Sequence, residues 1–179
     1  MRSRYSSLSI FLHWLIALLV AGQFIGMSYL EGLERGDPFL GPGYMLHKST
    51  GLTILALTLV RIVARLTEKF PELPAHMAAW ERFLARATHI GFYGLLLLMP
   101  LSGWVFGVTA ERGLDWYGLF GVPELPLAGL REVAHESHEV GAYAFLVLIA
   151  AHVAGALKHH FLDRDTVLHR MLPAVRQRG

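Results

Sequence analysis

Four long apolar segments constrain this chain more than any other feature of its sequence. They cover about residues 8–30, 44–66, 83–106 and 132–160. About 20 helical residues cross the hydrocarbon core of a bilayer, so each segment is long enough to span it. Only helices and closed barrels satisfy their backbone hydrogen bonds in lipid, and the alternating pattern of barrel strands is absent. We therefore expect an all-α integral membrane four-helix bundle, formed as a single domain over residues 1–179.

The composition agrees with a membrane protein and limits its chemistry. Hydrophobic residues make up 54% of the chain and charged residues 17%, whereas soluble domains average about 25% charged. Cysteine is absent, which excludes iron–sulfur clusters and covalently attached c-type haem. The ten histidines then suit a non-covalent b-type haem. The expected partner is the lipid bilayer, and no nucleic acid is expected.

The connections between the segments give further expectations. Gly, Asp and Pro predict a loop over Glu31–Gly43, and the longest connection, residues 107–131, is long enough to hold a short surface helix. Pro100 lies inside the third segment and is expected to kink it. Lysine and arginine cluster at both termini and in the second connection. Because such charge accumulates on the cytoplasmic side, both termini are expected there.

Histidines inside the spans are the candidate functional residues, since an ionisable group in lipid is costly and is a functional candidate by default. In the expected topology, His13 and His152 share the inner half of the membrane. His47 and His138 share the outer half. Each pair is placed to ligate one haem iron from opposite sides, so two haems are expected.

The fourth segment supports this pairing. His138 and His152 are fourteen residues apart, which places them roughly 40° apart in direction and about 21 Å apart along a helix axis. That spacing suits two stacked haems on one helix face. Gly51, Gly141 and Gly155 follow the ligands closely and are expected to leave room for a flat macrocycle, although small residues also serve helix packing.

Other interpretations of these residues stay open. Intramembrane histidines also form interhelical hydrogen bonds or line proton paths. His89 has no unassigned partner at its depth, so we expect it beside a haem or in a structural role. His135 competes with His138 for the outer haem. In the tail KHHFLDRD, His159 and its neighbours suit quinone binding, pairing with haem propionates, or simply a solvated helix end.

Several motifs resemble those of a known family. They are LHWLIALLV around His13, LHKSTGLTIL around His47, MPLSGW at the end of the third segment, HESHEVGAY around His138 and AHVAGALKHHFLDRD around His152. In order and spacing they resemble the prokaryotic cytochrome b561 family, also called superoxide oxidase. The resemblance covers essentially the whole chain.

This resemblance implies a fold, cofactors and an activity. The fold is the four-helix bundle of the cytochrome b subunits of hydrogenases and formate dehydrogenases, in the bacterial inner membrane. The implied axial ligands of two haems b are His13 with His152 and His47 with His138, and His159 matches the position associated with quinone. The implied reaction oxidises superoxide to oxygen on the periplasmic side and passes the electrons to ubiquinone.

Superoxide is an anion, and a positive surface near a haem edge would steer it. Lys48, Arg112 and Arg131 are the candidate residues, and their ordinary roles would be loop solvation or propionate pairing. One alternative function is an electron-transfer subunit that links a periplasmic dehydrogenase to the quinone pool through a partner protein. A haem-free structural or transport protein is a third possibility, and it predicts no Soret absorbance.

Overall fold

Four long helices dominate the computed structural model, which describes residues 4–68, 77–109 and 113–172. They are α1 (Ser7–Glu31), α2 (Leu40–Thr67), α3 (Ala79–Gly107) and α4 (Arg131–Phe161). Each is long and apolar enough to cross a membrane. Large apolar side chains are exposed along all four, as expected where lipid is the solvent. The prediction of an all-α membrane four-helix bundle is confirmed.

Consecutive helices run antiparallel and are tied together at their ends. Glu68, just after α2, accepts hydrogen bonds from the hydroxyl groups of Ser6 and Ser9 at 2.7 and 3.0 Å. At the opposite end of the bundle, Lys48 Nζ donates to the carbonyl of Gly107 and joins the start of α2 to the end of α3. We call the first end, where α1 begins and α4 ends, the terminal side, and the second the hairpin side.

The helices pack in chain order, and α1 and α4 are joined only through side chains. Helix α1 packs on α2, α2 on α3 and α3 on α4, while among the described residues no Cα of α1 comes within 8 Å of one in α4. Phe145 of α4 fills the middle of the gap, with its ring centroid 6.1 Å from Phe24 of α1 and 5.7 Å from Phe92 of α3. The buried core around it consists of Ile16, Val20, Ile54, Leu96 and Phe145.

The connection between α3 and α4 holds a β-hairpin rather than a surface helix. Strand β1 (Leu114–Trp116) pairs antiparallel with β2 (Phe120–Val122), and a single 3-10 turn over Ala128–Leu130 precedes α4. The turn uses positive φ angles of 49° at Tyr117 and 73° at Gly118, a conformation that glycine adopts without steric cost.

The start of α2 also differs from the expectation. Leu40–Gly43, assigned to a loop from the sequence, form the first turn of this helix. Pro42 is tolerated there because the first backbone N–H groups of a helix have no intrahelical partner. Pro100 lies inside α3, which continues as a helix to Gly107.

Candidate functional site

Helix α4 carries one stripe of aromatic side chains along the bundle interior. His138, Phe145, His152 and His159 follow one another at intervals of seven residues. Seven residues make nearly two helical turns, so the direction drifts by only about 20° per step. Phe145 therefore separates a histidine on the hairpin side from one on the terminal side, and His159 lies at the terminal end of the same stripe.

Two of these histidines face a partner on another helix. The rings of His13 on α1 and His152 on α4 have centroids 6.1 Å apart and lie at 70° to each other. The rings of His47 on α2 and His138 on α4 have centroids 6.4 Å apart and lie at 73°. We call these the terminal-side pair and the hairpin-side pair. They are the same two pairs that the topology predicted from the sequence.

The ring separations fit one metal ion between the members of each pair. An imidazole nitrogen lies about 1.1 Å from its ring centre and binds a metal at about 2.0 Å, so two rings sharing one metal in line have centroids about 6.3 Å apart. The observed distances, 6.1 and 6.4 Å, agree with this value. Nδ1 of His47 is also buried without a hydrogen-bond partner. A buried polar atom of that kind is costly, so this ring has bonding capacity left for a ligand.

A third histidine lies beside the terminal-side pair. His89 on α3 is 5.9 Å from His152 between ring centroids, so it reaches the level of this pair. Arg61 of α2 points to the same region, where its Nη1 donates to the carbonyl of Ser9 at 2.8 Å. A guanidinium inside a span is costly unless it is paired. This group therefore adds positive charge close to His13.

The end of α3 supports His138, and this contact was missed from the sequence. Ser102 Oγ lies 3.1 Å from His138 Nδ1, and the ring of Phe106 lies 5.3 Å from the imidazole. His135, which the sequence offered as an alternative haem ligand to His138, is exposed. Its ring centroid lies 4.9 Å from that of Phe106. The motif MPLSGW contains Ser102, but serine is also common in helix interfaces, so the motif alone did not indicate this role.

The three glycines that were expected to leave room for a macrocycle have different surroundings. A Cβ at Gly155 would meet nothing within 4 Å, so there is open space at this position, one turn after His152. A Cβ at Gly141 would lie 2.7 Å from Met99 Sδ, and one at Gly51 would lie 3.5 Å from Gln23 Nε2. Gly141 thus allows close contact with α3, whereas a Cβ at Gly51 would make only ordinary van der Waals contact with α1. Their proposed contact with a macrocycle stays a prediction.

A cavity of about 510 Å³ opens between α1 and α2 and reaches His47. Its lining is almost entirely apolar and includes Gly22 and Gly26. A Cβ at either glycine would meet nothing within 4 Å. Its lining comes from α1 and the start of α2 and does not include His138, so it is an apolar space beside His47 alone.

His159 anchors a cluster of charged groups on the terminal side. The ring is buried, and its Nδ1 lies 2.7 Å from Asp165 Oδ2 and 3.1 Å from Asp163 Oδ2. Lys158 Nζ lies 2.7 Å from Asp163 and 2.8 Å from Glu81 at the start of α3. The cluster holds the imidazole in one orientation. Such a group can exchange protons with a bound molecule.

The candidate basic residues on the hairpin side already have protein partners where they are described. Lys48 donates to the carbonyl of Gly107, and Arg131 forms an ion pair with Glu124. Arg112 lies outside the described residues. Lys48 follows His47 directly in the chain, so it is the described cation nearest to the hairpin-side pair in sequence.

Comparison with known proteins is consistent with this geometry. A family model described as prokaryotic cytochrome b561 matches residues 4–174. The chain is 33% identical over 172 residues to cytochrome b561 homolog 2 of Escherichia coli strain K12, covering 94% of this chain and 91% of that protein. It is 31% identical over 181 residues to the probable superoxide oxidase CybB of Yersinia pestis, covering 98% and 99%. It is 32% identical over 176 residues to cytochrome b562 of Cereibacter sphaeroides, covering 94% of each.

Proposed function

Because this chain belongs to the prokaryotic cytochrome b561 family of haem b-binding membrane electron-transfer proteins, we propose that it is a superoxide:ubiquinone oxidoreductase. Superoxide is oxidised to oxygen on the hairpin side, and ubiquinone is reduced on the terminal side. Two superoxide anions, one ubiquinone and two protons give two oxygen molecules and one ubiquinol. The terminal side faces the cytoplasm of a bacterium and the hairpin side the periplasm, across the inner membrane.

The observation that carries this proposal is the presence of two facing histidine pairs at metal-sharing distance in one bundle. His13 with His152 would hold one haem b, and His47 with His138 a second. Haem b supplies one-electron transfer when it is bound. Both pairs use α4, so a single helix fixes the separation of the two sites. Phe145 fills the space between them and excludes water from it.

Charged residues around the terminal-side pair would orient a haem there. A haem carries two propionates, and guanidinium groups bind carboxylates through strong charge-assisted hydrogen bonds. Arg61 is the candidate partner because it already reaches the first turn of α1 at Ser9. His89 would then lie at the edge of the same haem, which matches one of the two roles expected for it.

On the hairpin side, the chain has to attract a small anion and needs no elaborate pocket. Lys48 lies in the first half of α2, next to His47 and beside the carbonyl end of α3. Its positive charge would raise the local concentration of superoxide. Arg131 contributes less, because Glu124 offsets its charge. We propose that the positive charge of Arg112 also helps to attract superoxide.

On the terminal side, His159 is the proposed proton donor to ubiquinone. Asp165 and Asp163 bind its Nδ1, so Nε2 is the ring nitrogen that can meet a quinone oxygen. A carboxylate that holds one imidazole nitrogen fixes the orientation of the ring. Lys158 and Glu81 tie this end of α4 to α3 and keep the cluster in place.

Anaerobic stopped-flow spectroscopy of the purified holoprotein tests the proposal. Addition of superoxide should give the absorbance of reduced haem b, and later addition of ubiquinone should reverse it. Superoxide dismutase added beforehand should abolish the first change. If superoxide produced no reduction in a sample that ubiquinol reduces normally, the proposed donor would be wrong.

The alternative is an electron-transfer subunit for a periplasmic dehydrogenase. The β-hairpin favours this alternative function, because it exposes Leu119 and Phe120 on the side where a periplasmic dehydrogenase would bind. In that case a co-purifying protein would supply electrons, and superoxide would not. The same stopped-flow experiment, repeated on native membranes with and without a salt wash, separates the two functions.

A further inference from the structure

The hydroxyl group of Ser102 lies within hydrogen-bonding distance of the ring of His138. Ser102 is 4% exposed, and its Oγ donates to the carbonyl of Met99 at 3.1 Å. The same Oγ lies 3.1 Å from His138 Nδ1. With its hydrogen directed to the Met99 carbonyl, the same oxygen is placed to accept from His138 Nδ1–H. This arrangement puts the proton on Nδ1 and leaves the lone pair of Nε2 for a metal.

The next residues of α3 fix the position of the ring itself. A Cβ at Gly103 would lie 3.2 Å from His138 Cε1, which is closer than ordinary van der Waals contact, so only glycine allows this approach without displacing a neighbour. Phe106, one turn further on, places its ring 5.3 Å from the imidazole. Residues 99–106 thus hold His138 by a hydrogen bond, a close backbone contact and an aromatic contact.

The partner ring of the hairpin-side pair has no comparable support. No described contact gives the ring of His47 a hydrogen-bond partner, and its buried Nδ1 stays available for a ligand. Gln23 of α1 donates at 2.9 Å to the backbone carbonyl of His47 rather than to its ring. The two imidazoles of this pair therefore differ, and an acceptor oxygen contacts only the His138 ring among the contacts described.

An acceptor on the distal N–H makes an imidazole a more basic ligand. A more basic ligand stabilises the ferric over the ferrous state and so lowers the reduction potential. A lower potential on the hairpin side favours electron movement toward the terminal side. The hydrogen bond thus supports the direction of flow in the proposed function.

We propose that Ser102 is a positioning residue that holds Nδ1–H of His138 and lowers the reduction potential of the hairpin-side haem. This inference rests on the proposed ligation of that haem by His47 and His138. Gly103 contributes by allowing the ring to approach the helix closely enough for the bond to form.

A redox titration of the purified holoprotein, followed by the haem absorbance, tests this. In Ser102→Ala, one of the two reduction steps should move to higher potential by a three- to tenfold change in the oxidised-to-reduced ratio, a tenfold change being about 59 mV for one electron. Ser102→Thr keeps the hydroxyl and should leave both steps in place. Ser49→Ala is the matched control, because Ser49 is equally buried on the hairpin side but bonds Tyr117 instead of His138.

A second variant keeps the test decisive if Ser102→Ala does not accumulate. Gly103→Ala should push the ring away from Ser102 and raise the same step while the other stays fixed. The inference is overturned if neither variant moves a step in protein that retains two low-spin haems, or if both steps move equally. His138→Ala separates this from failure of the proposed function: if that variant keeps two low-spin haems, the ligation itself is wrong.

Discussion

The choice of axial partner for His152 gives the sharpest prediction. Its ring centroid lies 6.1 Å from His13 on α1 and 5.9 Å from His89 on α3. Both distances are close to the value of about 6.3 Å for two imidazoles that share one metal. Distance alone therefore does not choose between them. The proposed function assigns His13 as the ligand and places His89 at the haem edge.

His13→Ala and His89→Ala are the perturbations that separate these assignments. The two sites lie about seven residues on either side of Phe145, or about 10 Å each along α4. Loss of the terminal-side site should therefore leave the hairpin-side pair, with its 6.4 Å separation, unchanged. His13→Ala should reduce the haem b content from two per chain to one, or convert one of the two haems to a high-spin form. The low-spin α-band absorbance per chain falls by about half in either case.

His89→Ala should keep both low-spin haems and alter only the environment of one. The assay is the reduced-minus-oxidised visible spectrum of purified protein, combined with haem extraction and protein quantification. His135→Ala, on the hairpin side, is the matched control and should resemble the unchanged protein. The assignment is refuted if His89→Ala loses a low-spin haem while His13→Ala keeps both.

Three further predictions concern the ends and the interior of the bundle. Asp165→Asn should slow ubiquinone reduction by about tenfold or more, because His159 loses its closest carboxylate. The haem content of this variant should stay constant, and an unchanged rate of ubiquinone reduction would contradict the role of His159. Lys48→Ala should slow haem reduction by superoxide about tenfold and weaken the dependence of that rate on ionic strength. If the rate fell but its dependence on ionic strength stayed as in the unchanged protein, electrostatic steering by Lys48 would be excluded. Gly141→Leu should destabilise the fold by about 1–3 kcal/mol, since even a Cβ there meets a sulfur of α3 at 2.7 Å. Thermal loss of the Soret band measures this effect, and Gly94→Ala, at an open position, should leave it unchanged.

The helices and the histidine pairs followed from the sequence because lipid restricts the possible structures so strongly. A segment such as residues 8–30 has to be helical, and consecutive spans alternate in direction. Depth in the membrane then follows from position in the chain, so His13 had to lie level with His152. The seven-residue spacing of the α4 stripe fixed which face both histidines share.

The β-hairpin could not be predicted from the same rules. Its strands have three residues each, and the preference of a short segment for strand depends on what it packs against. Here Trp116 and Tyr117 hydrogen-bond to Thr53 of α2. That contact exists only once the bundle has formed, so no local sequence pattern predicts it.

The support of His138 was missed for a related reason. Ser102 acts through one hydroxyl that points across a helix interface, and its orientation depends on side-chain packing rather than on spacing. Equally, the ion pair of Arg131 with Glu124 links residues seven apart across an irregular segment. Counting lysines and arginines identified Arg131 but not Glu124, whose carboxylate offsets the positive charge of the arginine.

The number of haems in each chain tests the central claim most directly. The two facing histidine pairs predict two haems b per polypeptide, both low-spin and six-coordinate, in protein purified after haem supplementation. Pyridine haemochrome analysis with amino-acid quantification, together with the electron paramagnetic resonance spectrum of the oxidised protein, measures both properties on one sample. A ratio of two with two low-spin ferric signals is the expected result. A ratio of one, or a high-spin signal from half of the haem, would contradict the account.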